Sequence, residues 1–152
     1  MATISFIILA IFFTFVSSSN ENNIVITNSG STNTAGYVIN VQPNGRCSWK
    51  VTPHGAHLLM STTPSSTTTQ TSIQLSSART KNMFQIAQEA QPFNQYPSTG
   101  CIKSVSFGTT LHVAYNGQQT PDLSCPLKDQ RLINLNNVIQ ELIKDLNIHT
   151  MG

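Results

Sequence analysis

Residues 37–51 read YVINVQPNGRCSWKV, and the parity of the turn at Pro43-Asn44-Gly45 decides how this segment folds. Tyr37, Ile39 and Val41 alternate with smaller or polar positions, and Cys47, Trp49 and Val51 repeat the alternation after the turn. Strand side chains point to opposite faces in turn, so a one-residue slip moves an entire apolar set from core to solvent. A two-residue Asn-Gly loop would set Val41 against Ser48 and Ile39 against Lys50, which separates the two apolar sets. A three-residue loop pairs Val41 with Cys47, Ile39 with Trp49 and Tyr37 with Val51. Pro suits the first turn position, and Gly suits the left-handed bulge position that ends such a loop. The longer loop is therefore expected.

On the N-terminal side, Ile24-Val25-Ile26 reads as a short edge strand within an Asn/Ser/Thr-rich approach. Beyond the hairpin, residues 61–80 contain 13 Ser or Thr. Thr has good strand propensity, and the run ends in Ile73 and Leu75 at period two, so a strand over Thr67–Leu75 is expected. The alternative for this run is an O-glycosylated stalk. Thr80 is placed to cap a helix over about 80–91, with Met83, Ile86, Ala87 and Ala90 on one face and Pro92 ending it.

A second odd-loop hairpin is expected at Gly108-Thr109-Thr110, setting Phe107 against Leu111 and Val105 against Val113. Asn116-Gly117 then turns the chain again. Leu132, Leu135, Ile139, Leu142 and Leu146 recur at helical spacing, which predicts an amphipathic helix over about 129–147 started by Asp129 or the preceding turn. Together these elements predict an α+β fold, with antiparallel hairpins forming a small sheet packed against two helices.

Ile4 to Val16 (ISFIILAIFFTFV) has 11 apolar residues in 13 and no charge. That is shorter than the roughly 20 residues a membrane span needs. Small residues follow it, as they do at a secretory cleavage site. The expectation is a cleaved signal peptide over 1–19 and a single secreted, extracellular domain over 20–152.

Three cysteines in an oxidising compartment leave one thiol over. Cys101 with Cys125 is the expected bridge, because the pair brackets the second predicted hairpin. Closing a loop of that length is worth about 3.5 kcal/mol in the chain-entropy treatment. Cys47 is then expected as a buried free thiol.

Charge is scarce. Eight Lys/Arg, six Asp/Glu and a net charge of +2 stand among 60 Ser, Thr, Asn and Gln residues. Scattered cations at that density make no stripe for nucleic acid, and no lipid-facing role is expected once the leader is gone.

The same scarcity limits chemistry. His54 and His57, with Cys47, match no accepted metal-ligand spacing, so no metal or cofactor is expected. Asp122, in TPDLSCP, reads as a turn or capping residue. No nucleophile elbow, phosphate loop or dinucleotide fingerprint occurs. The expected function is a secreted, non-catalytic binding or inhibitor-like module whose partner is an extracellular protein or glycan. Its candidate contact loop is Phe93, Asn94, Gln95 and Tyr96. The alternatives are a small hydrolase using Cys47 with His54 or His57, and an O-glycosylated surface protein.

Overall fold

A computed structural model describes residues 22–52, 71–98 and 100–148. The expected leader, His54, His57 and residues 61–70 of the Ser/Thr-rich run lie outside the described residues. The chain runs through β1 (Ile24–Asn28), β2 (Gly36–Val41), β3 (Arg46–Thr52), β4 (Thr71–Gln74), α1 (Ser77–Glu89), β5 (Leu111–Tyr115), β6 (Gln118–Gln119) and α2 (Gln130–Asp145). A one-turn 3-10 helix at Phe93–Gln95 follows the cis Gln91–Pro92 bond. The six strands form one antiparallel sheet in the order β4-β3-β2-β1-β5-β6. The architecture is α+β.

The β2–β3 hairpin adopts the odd-loop register, with Val41 opposite Cys47, Ile39 opposite Trp49 and Tyr37 opposite Val51. Gly45 takes φ +86° and donates to the Gln42 carbonyl at 2.9 Å, while the Gln42 amide donates to Arg46. That register carries across the sheet. Trp49, Ile39, Ile26 and Val113 form one row over four strands. A second row runs Ile73, Cys47, Val41, Ile24. Except for exposed Ile73 and half-buried Trp49, these side chains join Met83, Ala87, Phe93, Leu135, Ile139 and Leu142 in a single core cluster.

Both helices contribute their apolar stripes to that core. Asp129 caps α2 by accepting from the Arg131 amide, as its position predicts, and Leu132, Leu135, Ile139 and Leu142 are buried. Helix α1 starts earlier than expected. Ser76 is its cap, accepting from the Arg79 amide, whereas the Thr80 hydroxyl donates back to the Ser76 carbonyl at 2.9 Å and is buried. Arg79 pairs with Asp145 and ties one helix to the other.

Two further expectations are corrected. The hairpin of Val105 and Phe107 with Leu111 and Val113 does not form. Strand β5 pairs instead with β1, setting Val113 against Ile26, and residues 105–107 make a turn closed by the Gly108 amide on the Ser104 carbonyl. For the same reason β1 is no edge: β2 and β5 flank it. The predicted Thr67–Leu75 strand is seen as β4 over Thr71–Gln74, an edge strand whose four residues are all exposed; residues 67–70 lie outside the described residues.

The turn that sets the register yields a direct test. A Cβ on Gly45 would lie 2.7 Å from Gln74 Nε2, 2.9 Å from Thr80 Oγ1 and 3.0 Å from the Leu75 carbonyl oxygen. With the left-handed φ added, Gly45→Ala should cost about 1–3 kcal/mol. The expected readout is a lower urea midpoint at unchanged slope. An unchanged midpoint would refute this account of the turn.

Candidate functional site

The segment from Cys101 to Leu111 crosses one end of the sheet, beside the end of β1 and the start of β5. It is tied down on both sides. The Ser106 carbonyl accepts from the Ser31 hydroxyl at 2.8 Å and from the Asn33 amide at 3.0 Å. The Thr110 amide donates to Ser29 Oγ at 2.9 Å, and the Ser29 amide donates to the Thr110 carbonyl at 3.1 Å. Cys101 and Cys125 stand at disulfide distance with their Cα atoms 5.6 Å apart.

Lys103 anchors the interior of the loop. Its ammonium donates to the Thr109 carbonyl, to Asp122 Oδ2 and to Ser124 Oγ. An ammonium has three N–H donors, and here each has an acceptor. Asp122 is the complementary hub. Its Oδ1 accepts from the Leu111 amide at 2.9 Å, the Ser124 amide at 3.0 Å and the Ser124 hydroxyl at 2.6 Å. Burial pushes the Asp122 carboxyl up. The donors from Lys103, Ser124 and the Leu111 amide outweigh burial and hold it at about 2. Lys103 and Ser124 resemble a serine–lysine pair by proximity, but a saturated ammonium beside an ionised carboxylate has no lone pair with which to take a proton. The cluster is built to hold the loop.

Three apolar side chains are left facing water by this arrangement. Ile102 is fully exposed, Val105 is 90% exposed and Phe107 is 63% exposed. They alternate with Lys103, Ser104 and Ser106, whose polar groups point back into the fixing contacts. Alternation marks Val105 and Phe107 as strand residues; the structure places both in an exposed turn instead.

A cleft of about 370 Å³ adjoins the foot of this loop at Asp122 and Cys125. Gln95, Tyr96 and Pro97 form one wall, and Pro121, Pro126 and Arg131 contribute to the others. Tyr96 is fixed by its hydroxyl donating to the Ala90 carbonyl at 2.8 Å, and the Arg131 guanidinium lies 5.4 Å from its ring centre. Asp129 holds Arg131 through both carboxylate oxygens.

Of the four loop residues singled out from sequence, Asn94 and Gln95 are exposed and Tyr96 is half-buried. Phe93 is 1% exposed and belongs to the core, with its amide donating to Gln118 Oε1 at 2.8 Å. Its ring is therefore unavailable as a contact. Cys47 lies at 0% exposure, and burial pushes its thiol up to about 11, only partly opposed by Arg79. Both effects oppose the accessible thiolate that a cysteine nucleophile needs. His112 sits half-buried on the opposite face of β5, its Nδ1 3.0 Å from the Thr120 carbonyl oxygen. Among the described residues, no three His, Cys, Asp or Glu side chains gather as a metal site.

Sequence reasoning missed the Lys103–Asp122 pair. A signal was available: a cation and an acid enclosed by the same two cysteines, in a chain with few of either. Comparison with known protein families, curated proteins and solved structures finds no match for this chain.

Two measurements test this geometry. Asp122 has a folded pKa below its unfolded value, so its stabilisation is full above about pH 4 and is lost as pH falls towards about 2. Asp122→Asn should cost about 1–2 kcal/mol at neutral pH, because it takes the charged partner from half-buried Lys103 and leaves the Leu111 and Ser124 amides a weaker acceptor. It should also flatten the acid limb of the stability profile. An unaltered acid limb would contradict the assignment. Separately, iodoacetamide at pH 7 should leave Cys47 unmodified until denaturant is added; rapid labelling of the folded protein would reopen the thiol-enzyme reading.

Proposed function

We propose that this chain is a secreted, non-catalytic binding or inhibitor-like module that grips an extracellular protein with the Ile102–Phe107 loop. The observation that carries the reading is the display of Ile102, Val105 and Phe107 on a segment fastened by Lys103, by the Ser106 carbonyl and by the Cys101–Cys125 pair. Large apolar side chains left in water contribute about 1.5–3 kcal/mol each when a partner covers them. A loop already fixed also avoids much of the ordering cost of association. The prolines and Tyr96 of the adjoining cleft extend the contact surface without adding mobile groups.

A protein partner fits this surface better than a lipid one. Surface-bound membrane segments combine an apolar face with free cations, and the cation of this loop is spent on Asp122, Thr109 and Ser124. Export is supported by the apolar run Ile4–Val16 and by a cysteine pair suited to an oxidising compartment.

The test uses full-length protein expressed in secreting cells. Intact-mass analysis of the medium should return a chain lacking about the first 19 residues, as the length of such leaders implies. That product, immobilised, should retain an extracellular protein that the Ile102→Ser/Val105→Ser/Phe107→Ser triple variant fails to retain. The variant should keep its melting temperature, since the three side chains bury little. Equal retention by both forms would overturn the loop assignment.

A further inference from the structure

A second cleft, of about 740 Å³, lies at the other end of the sheet. Strands β1 and β5 run between the two ends: each has one terminus beside the apolar loop and the other at this cleft. Five residues of strand separate the ends by about 17 Å. The walls come from the β2–β3 turn, the end of β4, the first turns of α1 and the β5–β6 turn.

The lining has a distinct chemistry. Among the described residues that line it, Lys81 is the one that is charged; it is exposed and has no ion pair among the described residues. Among the described residues, three amide side chains are each held by one hydrogen bond that uses half of the amide. Asn44 Oδ1 accepts from the Arg46 amide at 2.9 Å, which leaves its NH₂. Gln74 Nε2 donates to the Asn44 carbonyl at 2.7 Å, which leaves Oε1. Asn116 Nδ2 donates to Gln91 Oε1 at 3.3 Å, which leaves Oδ1. Beside them Phe84 and Tyr115 meet edge to face, 5.7 Å between ring centres, and both are partly buried against the core with their remaining surface on the cleft.

Positioned donors and acceptors without charge match hydroxyl groups, each of which both donates and accepts. An aromatic wall matches the C–H faces of a sugar ring. Lys81, with no carboxylate among the described lining residues, adds a preference for one anionic group. Polyphosphate or nucleic acid would call for several cations, and a purely apolar ligand would strand the amides without partners. We propose that this cleft is a saccharide site that takes a uronate-bearing oligosaccharide: Asn44, Gln74 and Asn116 meet hydroxyls, Phe84 and Tyr115 meet ring C–H groups, and Lys81 meets the carboxylate. The site is separate from the apolar loop and does not depend on the protein-binding reading.

Calorimetric titration of the full folded chain with trigalacturonate, and in parallel with maltotriose, tests the assignment. Trigalacturonate should bind saturably and at least about fivefold more tightly than maltotriose, the scale of one charge-assisted hydrogen bond. Lys81→Gln should erase that difference, and Gln74→Ala should weaken both sugars by about fivefold, the scale of one hydrogen bond. Lys81 is exposed and makes no hydrogen bond or ion pair among the described residues, so Lys81→Gln should melt as the parent does. Gln74→Ala also gives up its hydrogen bond to the Asn44 carbonyl and should melt slightly lower while staying folded. The apolar-loop triple variant should bind trigalacturonate unchanged, which keeps the two readings apart. No saturable binding, a preference for maltotriose, or affinity undiminished in both single variants would overturn the proposal.

Discussion

Asp122 accepts hydrogen bonds from two backbone amides, one hydroxyl and one ammonium, and through them it joins three parts of the chain. The Leu111 amide fixes where β5 begins, Ser124 fixes the arm that carries Cys125, and Lys103 fixes the segment that leaves Cys101. A disulfide alone would bring the two arms together and leave their relative rotation free. The carboxylate removes that freedom. It also makes its own ionisation part of the structure, because every donor around it prefers the charged form.

Legibility in the sequence followed the range of each interaction. The Pro43-Asn44-Gly45 turn sets its register locally, since the parity of the loop and the alternation of the flanking strands lie within fifteen residues. Helix α2 was readable for the same reason: its cap and its apolar repeat are both short-range patterns. Strand β5 was recognisable as a strand, but alternation says nothing about which strand lies beside it. Val105 and Phe107 offered a nearby partner of the right parity, while the partner chosen, β1, comes from the far end of the chain. The Cys101–Cys125 pairing was expected from a hairpin that does not form; the two residues meet where Lys103 pairs with Asp122 across the same two arms. The amide-lined cleft left no trace in the sequence, because its walls come from separated turns and helix ends.

Composition takes on a sharper meaning with the fold in view. Few charges are present, and two of the most buried are spent against each other at Lys103 and Asp122. Most other polar chemistry is carried by hydroxyls and amides, which act over hydrogen-bond distance and exert little long-range pull. Recognition by such a molecule would rest on shape and close contact, with modest sensitivity to salt.

The position of β1 has a consequence for how the molecule comes into being. It precedes the other described strands in the chain, yet it lies inside the sheet between β2 and β5. The meander β1-β2-β3 can assemble as soon as those residues are made. One margin of β1 must then wait, open, until Leu111–Tyr115 is synthesised. Pairings between distant segments form slowly, and an uncovered strand margin meanwhile invites pairing with other chains. The growing polypeptide thus passes through a stage in which its half-built sheet is adhesive, and the arrival of β5 ends it.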